Sequence, residues 1–277
     1  MMKKIDSHQH FWKYDPLIHS WINDDMAVIR HDFLPDQLAT LLVENEVEGC
    51  IAVQAEHTAH ENDFLLDISH THDFVKGVVG WVDLESAGVV GELCKLANFS
   101  KVKGVRHILQ GEEQRDLMLK KSFLNGIHYL EELNFTYDIL VLSDQLQFIP
   151  KFVSKFPNQR FVLDHMGKPL IKSGHISRWK KHMEAIAQRE NVYCKISGLL
   201  TEANLKEWKK EDFTPYLDVV VEAFGTKRIM YGSDWPVCLA GGNYEQALGV
   251  VASYFGSFSD DEQELFFRKN AIDFYRI

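Results

Sequence analysis

His8 and His10 stand two residues apart in Ile5-Asp6-Ser7-His8-Gln9-His10-Phe11-Trp12, at the end of a short run that reads as a strand. Alternate strand residues share a face, so both imidazoles, together with Asp6, are expected to point inward. Such a pair can hold a metal ion or polarise a substrate. The spacing alone carries little weight, because 13 histidines in 277 residues produce a His-x-His by chance roughly half the time. His70 and His72 repeat it, but they precede the run Val75 to Val82, where a chain enters a strand, and are read as surface-loop histidines.

Other strand-like runs end in complementary chemistry. Phe161-Val162-Leu163-Asp164 leads into His165, and Ile229-Met230-Tyr231-Gly232-Ser233 leads into Asp234. Taken singly, His165 reads equally well as a hydrogen-bonded core histidine and Asp234 as the cap of the turn at Trp235-Pro236. Arg106 and His107 end a further run, where a guanidinium suits a carboxylate or a polarised carbonyl, or else an inter-strand ion pair. Gln54 and Glu56 are candidates for hydrogen-bonding a polyol, with a solvated loop charge as the alternative for Glu56. Trp12, Tyr14 and Trp21 offer flat faces to a sugar ring or simply pack a lid. Lys168, in His165-Met166-Gly167-Lys168-Pro169, is either an ammonium at the same mouth or an exposed loop lysine. Lys195 lies inside a strand run, Tyr193-Cys194-Lys195-Ile196-Ser197, where a buried ammonium requires a partner that the sequence does not name.

For these residues to meet, the chain must bring strand ends together. Eight apolar, β-branched runs are separated by helical-length segments: Lys4 to His8, Cys50 to Ala55, Gly77 to Val82, Val102 to His107, Thr136 to Leu142, Arg160 to Asp164, Val192 to Ser197 and Arg228 to Gly232. The segments between carry helical spacing, as in Leu38-Leu41-Leu42-Asn45 and Phe148-Phe152-Val153-Phe156. This alternation predicts an α/β chain closed into one (β/α)8 barrel over residues 1–277, with a doubly wound open sheet as the fallback. Strand C-terminal ends converge in such a barrel, and the long irregular stretches Phe11 to Asp32 and Trp235 to Asn243 follow two of them. No Gly-rich phosphate fingerprint follows any strand.

Composition narrows the partners. With 30 basic and 40 acidic residues the formal charge is −10, which offers no electrostatic footprint for nucleic acid. No stretch of about 18 uncharged apolar residues suggests a membrane span, and no apolar signal core follows Met1. The four cysteines are widely spaced singletons, as expected of reduced thiols in a cytoplasmic protein, and cysteine-ligated zinc is unsupported.

The segments Ile5 to Trp12, Gly104 to His107, Leu163 to Pro169, Tyr231 to Pro236 and Asn270 to Tyr275 together resemble the amidohydrolase superfamily, of the amidohydrolase 2 type. Within it they look most like the sugar lactonases that include L-fuconolactone and L-rhamnonolactone hydrolases. The resemblance implies hydrolysis of an aldonolactone of a 6-deoxy sugar. In it His8, His10, His165 and Asp234 occupy metal and catalytic positions, with Asp234 activating water and His165 and Arg106 stabilising the oxyanion. Gln54, Glu56, His107, Lys168, Trp12 and Trp21 are the substrate-binding candidates. Binuclear members carry a lysine ending the fourth strand and a histidine ending the fifth, whereas this chain has Arg106-His107 and no histidine in Tyr137-Asp138-Ile139-Leu140-Val141. A two-metal centre is therefore not expected. One divalent ion, zinc by ligand chemistry, and a metal-independent site both stay open. A metal-dependent nonoxidative decarboxylase of the same superfamily is the alternative activity. Self-association into a homo-oligomer is left open.

Overall fold

Eight parallel strands alternate with helices in the computed structural model, which describes residues 2–277. The strands are β1 (Lys4–Gln9), β2 (Val47–Val53), β3 (Val75–Gly80), β4 (Val102–Ile108), β5 (Thr136–Leu140), β6 (Phe161–Leu163), β7 (Val192–Ile196) and β8 (Ile229–Tyr231). Each pairs in parallel with the next in chain order. The seam between β8 and β1 is bridged by Ser7 Oγ donating to the Tyr231 carbonyl at 2.6 Å, Asp234 N to His8 O at 2.8 Å and His10 N to Trp235 O at 2.7 Å. The result is the expected (β/α)8 barrel.

The helices are α1 (Pro35–Glu44), α2 (Ala59–Thr71), α3 (Val89–Leu96), α4 (Lys121–Glu132), α5 (Ile149–Val153), α6 (Ser177–Ala187), α7 (Leu199–Glu202), α8 (Lys210–Phe224), α9 (Tyr244–Phe255), α10 (Asp260–Glu264) and α11 (Asn270–Tyr275). Their starts follow from local chemistry. Pro35 opens α1, while the side chains of Thr58 and Asn243 accept from the Glu61 and Gln246 amides and so cap α2 and α9. Inside the barrel, Ile5, Ile51, Val53, Val79, Val162 and Met230 form a layer sealed by Ala271, Phe274 and Tyr275 of α11. A larger apolar layer fills the space between strands and helices. None of the helices among the described residues is long and apolar enough to cross a membrane.

Three sequence expectations change. In β1, Asp6 pairs with Cys50 but Gln9 with Ala52, so one extra residue is inserted and the alternation of faces reverses. Asp6 therefore does not share the face of His8 and His10; its carboxylate accepts from Tyr244 Oη at 3.0 Å and from the Ser233 amide at 2.8 Å. The segment from Phe148 to Phe156 forms only a 3-10 turn and the short α5, because the residue before Pro157 is driven out of helical geometry. His70 and His72 lie at the surface as expected, but as the last turn and C-cap of α2 instead of a loop, since Leu65, Leu66, Ile68 and Ser69 extend its buried face.

The two long stretches after β1 and β8 each fold a 3-10 turn, Asp24–Ile29 and Val237–Ala240. These turns pack against each other above the barrel mouth.

Candidate active site

Four side chains meet where β1, β6 and β8 end. His8 Nε2 lies 3.2 Å from His10 Nε2, and Asp234 Oδ1 lies 3.4 Å from His10 Nε2, 3.8 Å from His8 Nε2 and 4.0 Å from His165 Nε2. All four residues are buried. At two of them the backbone is left-handed: Asp234 and His165, with the neighbouring Met166 and Lys168, have φ between +51° and +58°, a region costly for side-chain-bearing residues that the surrounding structure must hold in place. Two glycines permit the close packing. A Cβ on Gly198, itself at φ +63°, would lie 2.7 Å from His165 Nδ1, and one on Gly232 would lie 2.7 Å from His8 Cβ.

The outer nitrogens of the rings are engaged. His10 Nδ1 faces the Val53 carbonyl at 2.7 Å and therefore donates, which leaves a lone pair on Nε2 facing the site. His165 Nδ1 lies 2.9 Å from Ser197 Oγ, and His8 Nδ1 lies 3.4 Å from Asp164 Oδ1 and 3.1 Å from Lys195 Nζ. Burial pushes all three imidazoles below their ordinary pKa, so they are neutral near pH 7. Burial works to raise Asp234, but His165, His10 and Lys168 outweigh it and hold the carboxylate below its ordinary range. A base flanked by neutral rings results.

Beneath the rings lies a layer of paired charges. Arg106 directs Nε and Nη2 to Gln54 and Nη1 to Asp164 Oδ2 at 3.1 Å and toward His8 Nε2 at 3.2 Å. Its donors are thus committed to the protein. Lys195 finds its carboxylate in Asp138, at 2.6 Å, with Asp164 Oδ1 at 3.1 Å. Burial would raise Asp164, but Lys195, His8 and Arg106 hold it well below the carboxylate range.

Above the rings is a cavity of about 380 Å³ lined by His10, Arg106, His165 and Asp234 below and by Trp21, Met26, Val237, Lys168 and Glu202 around the mouth. Lys168 Nζ stands 3.7 Å from Glu202 Oε1. The remaining sequence candidates do not line this cavity. Trp12 is buried behind Trp21, donating to the His31 carbonyl at 2.9 Å, and Tyr14 lies beside His19. Gln54 holds Arg106, Glu56 reaches His19 at 3.1 Å, and His107 pairs with Glu112 at 2.7 Å while stacking on His57. Nothing in the sequence pattern singles out Asp164 or Glu202; a charge inside the apolar run Thr136 to Leu140 is the one readable signal for Asp138.

The donor set fits a metal. In tetrahedral zinc sites with bonds of roughly 2.0–2.1 Å, ligand atoms are about 3.3 Å apart. The separations of 3.2, 3.4 and 3.8 Å among His8 Nε2, His10 Nε2 and Asp234 Oδ1 are near that value, whereas His165 Nε2, 4.0 Å from the Asp234 oxygen, stands outside this group. His8, His10 and Asp234 accordingly form a group able to hold a divalent ion. His57, His107 and Glu112 form another by distance, but His57 Nε2 already accepts from the Ile108 amide at 2.8 Å.

Comparison with known proteins places this geometry in context. A family profile described as Amidohydrolase matches residues 5–277. The chain is 34% identical to an L-fucono-1,5-lactonase of Burkholderia multivorans over 90% of its own length and 87% of the relative's. A crystal structure of an amidohydrolase from Burkholderia multivorans with bound zinc superposes with a TM-score of 0.96 at 33% identity, covering 99% of both chains. A 2,6-dihydroxybenzoate decarboxylase from Rhizobium shares the fold at a TM-score of 0.70, with 14% identity over 100% of this chain and 99% of that one. That likeness extends to the fold alone.

Proposed function

The chain belongs to the amidohydrolase family, and from that premise we propose that it hydrolyses a sugar lactone, an L-fuconolactone or related 6-deoxy aldonolactone, to the open-chain aldonic acid. The observation that carries the reading is the Asp234 carboxylate, held ionised within 4.0 Å of three neutral imidazoles at the floor of a sugar-sized cavity.

Asp234 takes a proton from water as its oxygen attacks the lactone carbonyl carbon. The ring C–O bond then breaks, and the departing alkoxide receives the proton that Asp234 has stored. An ester's alkoxide leaves more readily than an amide's amine, so a carboxylate is a sufficient base. His165 faces the developing oxyanion, and the Arg106 charge supports it from below, through the field of a guanidinium whose N–H groups are bound elsewhere. Lys168 and Glu202 offer a donor and an acceptor to sugar hydroxyls, while Trp21, Met26 and Val237 form an apolar wall for the carbon skeleton. A single zinc or similar divalent ion, held by His8, His10 and Asp234, would acidify water and polarise the carbonyl.

The test is acid release from a panel of aldonolactones that includes L-fucono-1,5-lactone. Asp234→Asn should lower kcat by about 10²–10⁴-fold with KM little changed. No acid release by the wild-type protein from any lactone of the panel would end this reading, and an active Asn variant would remove Asp234 from it.

A further inference from the structure

A cation is built into the floor of the site. Lys195 Nζ lies 2.6 Å from Asp138 Oδ2, 3.1 Å from Asp164 Oδ1 and 3.1 Å from His8 Nδ1, and Lys195, Asp138, Asp164 and His8 are all fully buried. Tyr275, from the last helix, donates to the same Asp138 oxygen at 2.8 Å and sets its ring 5.4 Å from the ammonium. Asp164 is shared with Arg106, so two carboxylates and two cations balance one another around one face of His8.

Barrels fill their interiors with branched apolar residues, and replacing a buried ion pair by apolar groups is often neutral or stabilising. Stability alone therefore gives no reason for an ammonium here. Its place does: it touches the outer nitrogen of the ring whose inner nitrogen faces His10 and Asp234. We propose that Lys195 is a positioning residue, a resident cation held by Asp138 and Tyr275 that keeps His8 in register with His10 and Asp234. For its rate measurement this rests on the lactonase reading above; for metal uptake it does not.

The experiment separates charge balance from positioning. Lys195→Met leaves Asp138 uncompensated and should be unstable, whereas Lys195→Met with Asp138→Asn removes both charges. The double variant should regain a Tm near that of the wild type, while kcat stays about 10–100-fold lower with KM little changed. Zinc uptake, followed by equilibrium dialysis, should weaken by about the same factor. Recovery of kcat together with Tm would overturn the proposal. If the double variant does not fold, Tyr275→Phe decides: a smaller loss of kcat at constant KM supports the proposal, and an unchanged kcat overturns it. If the wild-type protein opens no lactone, the functional reading fails and zinc uptake alone decides, weaker uptake by the double variant supporting the proposal and equal uptake overturning it.

Discussion

Gly198 shows how tightly single residues constrain the site. Its φ of +63° already disfavours any side chain, and a Cβ there would meet His165 at Nδ1, 2.7 Å away, and at Cγ, 3.0 Å away. Gly198→Ala should cost about 1–2 kcal/mol for the backbone conformation alone. The displaced ring would also lose its Ser197 partner and its alignment with Asp234, and misplacement on this scale lowers rates by about 10²-fold. Activity should thus fall further than stability. Gly249→Ala, inside α9 with nothing within 4 Å of the new Cβ, is the comparison, expected to leave kcat unchanged and to gain about 0.5–1 kcal/mol. Urea unfolding and lactone turnover of the two variants check both expectations.

At the scale of elements, β2 is tied to α2 by Glu61, whose carboxylate accepts from the Ala55 and Glu56 amides at 2.6 and 2.9 Å in the first turn of the helix. Burial lifts its pKa from 4.5 to about 8 despite those donors. As pH rises, the unfolded chain releases this proton first, so the unfolded state is favoured progressively from about pH 4.5 to about 8. Relative to Glu61→Gln, which carries no proton to lose, the wild-type urea midpoint should therefore fall across this window; a difference between the two that does not change with pH would take Glu61 out of the pH dependence. The elements themselves were legible, because buried parallel strands are continuous apolar runs and the segments between them repeat with helical spacing. The bulge in β1 was not, since nothing in Asp6-Ser7-His8-Gln9 marks which residue is extra, and it alone decides that Asp6 faces away from His8. Nor was the partner of Lys195: Asp138 is 57 residues away, on a strand that does not pair with β7, and only barrel closure brings them together. The convergence of His8, His10, His165 and Asp234 could be read because each ends a strand. Gln54 and His107 also end strands, yet they face Arg106 and Glu112.

Across the whole molecule, the floor of the barrel and the floor of the site are one structure. Phe274 and Tyr275 close the apolar layer formed by Ile5, Val53, Val79, Val162 and Met230, and the Tyr275 hydroxyl continues upward to Asp138, Lys195 and His8. Asn270 fastens the same segment to the Thr226 and Ile229 carbonyls, both at 2.7 Å, and Arg160 holds the carbonyls of Asp273 and Phe274. Removing the plug should therefore act on folding and on chemistry together. Phe274→Ala should lower unfolding free energy by about 3–5 kcal/mol, the usual cost of emptying a buried aromatic position. It should also lower kcat, because the neighbouring Tyr275 loses its support, while KM holds, because the substrate cavity lies at the opposite end of the strands. Urea unfolding and steady-state turnover in the cold, where the variant remains folded, measure the two effects separately. A destabilised variant with wild-type kcat would show that the plug supports the barrel without supporting the site.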